Sequence, residues 1–375
     1  MVYFLYTNYT PNTAETNRAL SYLKSLDNAG KKLEVIFFLP DKYGSKIPFQ
    51  FTNIKVTYLW ERFNIKNRIL KYIPYVINIL LFRLRLKRGD AVYIYGMNDV
   101  KSFFVGINGV KSFYECTEHP EISLMPDKLR RCSLKEHIET CKKLTGLFVI
   151  STALKDYYIK KGVAGDRIHI INMTVDTSRF DGLLKNNNKE RYIAYCGKVS
   201  NNKDGVDQLI RAFSIVHKTI PDIKLYIVGA VPANLSNEHN IKLIQDLNLS
   251  EYVVLTGMLP ADEIPQIMVN AEILVLDRPD NLQAKFGFPT KLGEYLLSAN
   301  PVVVTGVGDI PLFLQDKVSA LISPPNNPQA FAEKIVWALQ NPEESNKIGA
   351  NGCKIAKINF NSDIEAMKLM TIIES

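Results

Sequence analysis

Residues 286–304 read FGFPTKLGEYLLSANPVVV. A loop of small residues and proline passes through Lys291, enters a helix that carries Glu294, and closes on Pro301 and a run of valines. Loop, helix and buried strand together place backbone N–H groups, a cation and a carboxylate within about two helical turns of one another. A nucleotide sugar asks for those groups: donors for its diphosphate, a positive charge beside them and an anion for the ribose hydroxyls. The competing interpretation is an ordinary helix–strand unit with Glu294 on a solvated face. A second segment leans the same way. A strand over 192–195 runs into CGKVSNNKDGVD before a helix. Gly197 permits a tight turn there, and Lys198 and Lys203 lie close to the next helix's N-terminus, where orphan N–H groups and two ammonium groups suit a diphosphate. Solvated loop lysines are the plainer alternative.

The elements that must hold these residues follow a regular pattern. Strand-like runs fall at 2–6, 33–39, 56–59, 91–95, 112–115, 146–150 and 168–171, with helices expected at 15–29, 134–144 and 153–162. Residues 175–190 are polar and include Asp181-Gly182, a linker composition. The alternation then restarts with strands at 192–195, 224–228, 253–255, 273–276, 302–304 and 320–322. Helices are expected between them at 206–219, 240–247, 260–270, 290–297 and 328–339. Short apolar strands separated by helices predict parallel sheets covered on both faces. The expectation is α/β: two doubly wound Rossmann-like domains, 1–174 and 191–355, joined by the linker and facing a central cleft. A C-terminal helix over 356–375 is expected to pack back toward the first domain. Ligands in such sheets bind beyond the carboxyl ends of the strands.

Composition narrows the class. A chain of 375 residues with 46% hydrophobic residues has enough material for two cores. Its five cysteines are scattered and never in a C-x-x-C pair, which argues for reduced thiols in a cytosol and against a disulfide framework or zinc site. No basic region precedes the first apolar run, so a signal peptide is not expected. Net charge is +8, and residues 62–88 hold eight basic side chains and no acidic one around the apolar stretch IPYVINILLF. That stretch is far short of the ~20 residues needed to span a bilayer. It suits either contact with an anionic membrane surface or a helix buried on the sheet with basic ends. No nucleic-acid module is present, and no nucleic-acid partner is expected. Walker and G-x-G-x-x-G spacings are both absent, which disfavours a kinase or a dinucleotide enzyme.

Taken in order, five segments resemble the GT-B glycosyltransferases, and within them glycosyltransferase family 4. They are FVISTALKDYYIKKGVAGDRIHIINMTVDTSRF, YCGKVSNNKDGVDQLIRAF, KLYIVGA, VVLTGMLPADEIPQIMVNAEILVL and FGFPTKLGEYLLSANPVVV. The resemblance implies a retaining transfer from a UDP- or GDP-linked sugar to a glycan or lipid-linked acceptor in surface polysaccharide biosynthesis. It also implies a donor site on the second domain and an acceptor site on the first. Glu294 matches the second glutamate of the family's pair and would bind the ribose; Phe286 stands where the first would fall, and backbone groups of Gly287 and Phe288 would replace it. Pro289, Thr290 and Lys291 resemble a P-x-K variant that meets phosphate or sugar. Gly197, Gly229 and Met258 fall at donor positions, Met258 near the base. Lys198 and Lys203 match the phosphate-binding cations and, with His119 near the transferred sugar, make up the catalytic set. Asp204 is an added residue before Gly205. On the acceptor side the resemblance implies Asn12, Thr13 and Glu118. No D-x-D occurs near the donor segments, so no metal or other cofactor is expected, with lysines in the cation's place. A cytoplasmic enzyme, peripheral on the inner membrane face, is the expected setting. A GT-B-type epimerase and a non-catalytic nucleotide-sugar-binding subunit are the alternatives.

Overall fold

A computed structural model describes residues 1–11, 13–62, 72–98, 100–124, 132–186 and 190–375. Two units divide the chain. The first contains residues 1–172 and 362–375, the second residues 173–361.

The first unit is built on a seven-stranded parallel sheet. Its strands are β1 (Val2–Tyr6), β2 (Leu33–Phe37), β3 (Ile54–Tyr58), β4 (Ala91–Tyr95), β5 (Lys111–Cys116), β6 (Gly146–Val149) and β7 (Ile168–Ile170), in the order β3-β2-β1-β4-β5-β6-β7. β1, β2 and β4 are buried almost throughout, as in a parallel sheet covered on both faces. The helix Ala14–Asn28 packs beside the helix Ser362–Glu374, and Ala366, Leu369, Met370 and Ile373 enter the same core as Phe4, Tyr22 and Tyr93. Glu365 fixes the returning chain by accepting from the Asn172 backbone N–H at 2.8 Å.

The second unit carries a six-stranded parallel sheet. Its strands are β8 (Tyr192–Cys196), β9 (Lys224–Val228), β10 (Val253–Gly257), β11 (Ile273–Leu276), β12 (Val302–Thr305) and β13 (Leu321–Ser323), in the order β10-β9-β8-β11-β12-β13. Strand order reverses between β1 and β4 in one sheet and between β8 and β11 in the other. These are the switch points where a parallel sheet opens a crevice at its carboxyl edge.

Residues 175–190, with linker composition, lie within the second unit. The Val175 N–H donates to Phe360 O at 2.8 Å, and side chains of Met173 and Val175 close on Gly293. A helix over Pro342–Asn359, not foreseen in the sequence, completes this unit against the helix Thr290–Leu297. No helix among the described residues is long and apolar enough to cross a membrane. The five cysteines form no disulfide.

Candidate functional site

β8 is buried along its length and ends at Gly197, whose N–H still reaches Val228 O at 2.7 Å. Beyond it the Ser200 hydroxyl accepts from the Lys203 N–H and starts a single helical turn, Asn201–Asp204. A simple loop was expected here. Ser200 is a good N-cap, and Gly205 ends the turn at φ +57°. A side chain at Gly205 would also strike Asp277 O, 2.1 Å from where a Cβ would stand. This contact locks the turn against the end of β11.

The turn aims Asp204 inward. Its Oδ2 lies 2.5 Å from Lys291 Nζ and 2.8 Å from the Tyr195 hydroxyl, and the ammonium also sits 4.5 Å above the centre of the Tyr195 ring. Lys291 is in the first turn of the helix Thr290–Leu297, after Pro289. One turn later the Tyr295 hydroxyl accepts from Cys196 N at 2.6 Å and fastens that helix to the end of β8. Gly197 makes room for the cation, since a Cβ there would lie 2.3 Å from Lys291 Nζ. Gly229 comes equally close to its neighbour strand, 2.4 Å from Gly197 O by the same measure. Burial pulls the Lys291 pKa below its ordinary value, an effect opposed by Asp204 and reinforced by the charges of Lys203 and Arg278. Burial also works against an ionised Asp204, yet Lys291 and the Tyr195 hydroxyl outweigh it and hold that carboxyl low. Asp204 Oδ1 has no hydrogen-bond partner among the described residues. The pair is thus charged and, among the described residues, incompletely bonded.

Around this centre the structure gathers Gly197, Lys203, Gly229 and Lys291, together with Asp204, Tyr195 and Asp277. Lys198 is exposed, and its carbonyl rather than its ammonium meets Tyr195, at 2.8 Å. The sequence paired Lys198 with Lys203 as the principal cations, whereas the half-buried lysine beneath Gly197 is Lys291. Phe286 ends a short helix, Leu282–Phe286, rather than lying in a loop. Gly287 follows, and the Phe288 ring is buried against Phe313 and Phe360. Pro289 is buried, and Thr290 is half-buried at the helix start. Glu294 is half-buried and ion-paired with Arg179, whose Nη2 donates to Ala261 O at 2.9 Å. Arg179 was hidden in the stretch whose composition suggested a linker. Gly257 accepts from the Gly229 N–H at 3.0 Å, and Met258 beyond it is exposed.

In the first unit, His119 caps the short helix Pro120–Ser123, its Nδ1 accepting from the Glu121 N–H at 3.3 Å, with its ring edge-on to Tyr157. Burial lowers its pKa, with Lys161 assisting and Glu121 opposing. The lowered pKa favours the neutral ring, and a ring whose Nδ1 accepts carries its proton on Nε2. Glu118 precedes it, half-buried. Thr13 uses its hydroxyl to cap the helix Ala14–Asn28, accepting from Thr16 N and donating to Thr10 O, both at 3.2 Å. Asn12 lies outside the described residues, as do residues 63–71 of the basic segment. Glu15 was not singled out in the sequence. Its carboxyl turns over Gly96 at the β4 switch point, where a Cβ would lie 1.8 Å from Oε1. Desolvation there, with Glu118 and Glu115 nearby, raises its pKa.

Residues 190–341, all within the second unit, match the family model described as glycosyl transferases group 1. The putative glycosyltransferase YtcC of Bacillus subtilis is 25% identical over 191 residues, 50% of this chain and 46% of that protein. A GDP-mannose-dependent alpha-(1-6)-phosphatidylinositol monomannoside mannosyltransferase of Mycolicibacterium smegmatis is 26% identical over 190 residues, 48% of each chain. The chain spans about half the length of these curated relatives. Among solved structures, Anabaena HepE in complex with UDP and glucose superposes with a TM-score of 0.73 at 16% identity, over 99% of this chain and 98% of that one. The fold is that of the GT-B glycosyltransferases: two parallel-sheet Rossmann-like α/β units.

Proposed function

We propose that the chain is a retaining glycosyltransferase that moves a sugar from a UDP- or GDP-linked donor to a hydroxyl of a glycan or lipid-linked acceptor, in surface polysaccharide biosynthesis at the cytoplasmic membrane face. The second unit takes the donor and the first takes the acceptor. The observation that carries the reading is the Lys291 ammonium held under Gly197 at the carboxyl edge of β8. HepE, which shares the fold, was solved with UDP and glucose, and the glycosyltransferase match covers the donor unit.

The chemistry follows from charge. As the glycosidic bond breaks, the departing diphosphate gains negative charge, which Lys203, Lys198 and Lys291 stabilise without a metal ion. The anomeric carbon becomes oxocarbenium-like, and the acceptor hydroxyl enters on the face the diphosphate leaves, giving its proton to the departing phosphate oxygen. Glu294 accepts from the ribose hydroxyls while Arg179 steadies it. His119, in the first unit, is assigned to the neighbourhood of the transferred sugar.

Replacing Lys203 by Ala is expected to cut turnover by about two to three orders of magnitude without lowering Tm. Thermal-shift screening of nucleotide sugars first identifies the donor, since a ligand of the native state raises Tm. Nucleotide release is then followed with and without acceptor. Near-normal transfer by the variant removes Lys203 from the site. Epimerised sugar formed without acceptor assigns an epimerase, and donor binding without nucleotide release assigns a binding subunit.

A further inference from the structure

The helix Tyr72–Arg85 has two apolar faces, and the protein covers one of them. Tyr75, Asn78, Ile79 and Phe82 are at most 3% exposed. Phe82 sits edge-on to Tyr3 and Phe38 at 5.2 and 5.8 Å, and the Asn78 amide donates to Leu59 O at 3.0 Å. On the opposite side Ile73, Val76, Ile77, Leu80, Leu81 and Leu84 are 40–81% exposed. At about 100° per residue they fill an arc of roughly 140°, centred opposite the buried set. Single exposed aliphatics are ordinary, but a continuous stripe about 16 Å long is not.

Charge identifies what covers the stripe. Arg83 and Arg85 fall on its two borders. Arg83 donates to Phe103 O, and Arg85 pairs with Glu34 at 2.6 Å. Lys87 and Arg88 are exposed just past the helix. No acidic residue occurs anywhere in residues 62–88. A second copy of the helix laid on this face would set like charge beside like. An anionic lipid surface satisfies both features, since acyl chains accept the leucines and headgroups meet the basic residues.

We propose that the helix Tyr72–Arg85 lies flat in the headgroup region of an anionic membrane, with Ile73, Ile77, Leu80 and Leu84 entering the acyl boundary and Lys87 and Arg88 on the phosphates. Fourteen residues are too few to cross the bilayer, so the contact is in-plane. It extends the lipid-linked arm of the proposed function, but its evidence is the helix alone.

The test uses the full chain and vesicles of phosphatidylcholine with or without phosphatidylglycerol, read by co-sedimentation with no sugar present. Wild type is expected to bind the phosphatidylglycerol vesicles. The double variant Leu80→Gln/Leu84→Gln is expected to bind about tenfold or more weakly, with unchanged Tm because both side chains already face solvent. Lys87→Ala/Arg88→Ala is expected to weaken binding and flatten its salt dependence. Binding equal in the two leucine forms, or absent in wild type, overturns the proposal. A wild-type dimer that the leucine variant dissolves gives the face to a second copy and also overturns it. Because no donor or acceptor is present, these outcomes are separate from failure of the transferase reading, which nucleotide release reports.

Discussion

Each unit sets a cation–carboxylate pair among tyrosine hydroxyls, and the two pairs are finished to different degrees. In the first, Arg18 Nε meets Glu115 Oε1 at 2.5 Å, while Nη1 and Nη2 donate to the carbonyls of Asn172 and Ile171. Tyr22 donates to Glu115 Oε1 and Tyr93 to Oε2. The carboxylate has both oxygens engaged, and the guanidinium has all three nitrogens engaged. In the second, Lys291 has Asp204 and Tyr195, but Asp204 Oδ1 has no partner among the described residues, and the ammonium lies under a glycine rather than a side chain. A saturated pair has no valence left for a ligand and serves the fold. An unsaturated one keeps charge available at a cost in stability.

The contrast can be broken most forcefully in the first unit. Arg18→Ala leaves Glu115 buried without its cation and is expected to cost about 3–5 kcal/mol of stability, measured by denaturant unfolding. A loss below about 1 kcal/mol would put the pair among merely decorative contacts. Lys291→Ala also strips a buried carboxylate, Asp204, of its cation and lowers Tm, but is expected in addition to cut turnover of the folded variant by about two orders of magnitude. Equal damage to Tm and no loss of turnover would make Lys291 a second Arg18.

A smaller effect sharpens the comparison through pH. Burial, then the charge of Asp207, pushes the Asp277 carboxyl up to about 7, and its Oδ2 has no partner among the described residues. The folded form therefore holds a proton that the unfolded chain releases above its ordinary value of 3.8. Stability from this group is present at low pH and is lost as pH rises toward 7. Asp277→Asn cannot ionise, so relative to wild type it should gain on the order of 2 kcal/mol between pH 5 and pH 8. Parallel unfolding curves for the two proteins at both pH values would sink that assignment.

Much of the fold was legible because buried parallel strands write themselves as short apolar runs, as in 91–95 and 302–304. The helix Pro342–Asn359 was missed for a physical reason. Gly349 and Gly352 resemble helix breakers, yet they are there because the helix presses on backbone. A Cβ on Gly349 would lie 2.4 Å from Ala299 O, and one on Gly352 2.6 Å from Ser319 O. At the site, Lys291 and Glu294 stood out by type and spacing. Their partners did not, because Asp204 and Arg179 acquire meaning only when distant segments close on them. Asp204 showed itself only as an extra residue before Gly205, and Arg179 left no signal in a polar stretch. Glu15 was equally silent, since nothing at position 96 announces in sequence that a carboxyl will rest on it.

The excursion of the chain out of the first unit at residue 172 and its re-entry at 362 bears on biosynthesis. A ribosome that has released residues 1–172 has not yet made one wall of that unit's interior, the wall supplied by Ala366, Leu369, Met370 and Ile373. The second unit, contiguous from 173 to 361, can fold first while its predecessor waits with apolar surface uncovered. Trimming the polypeptide before residue 362 should therefore harm its beginning more than its middle, and the amino-terminal half alone would be a poor candidate for separate expression.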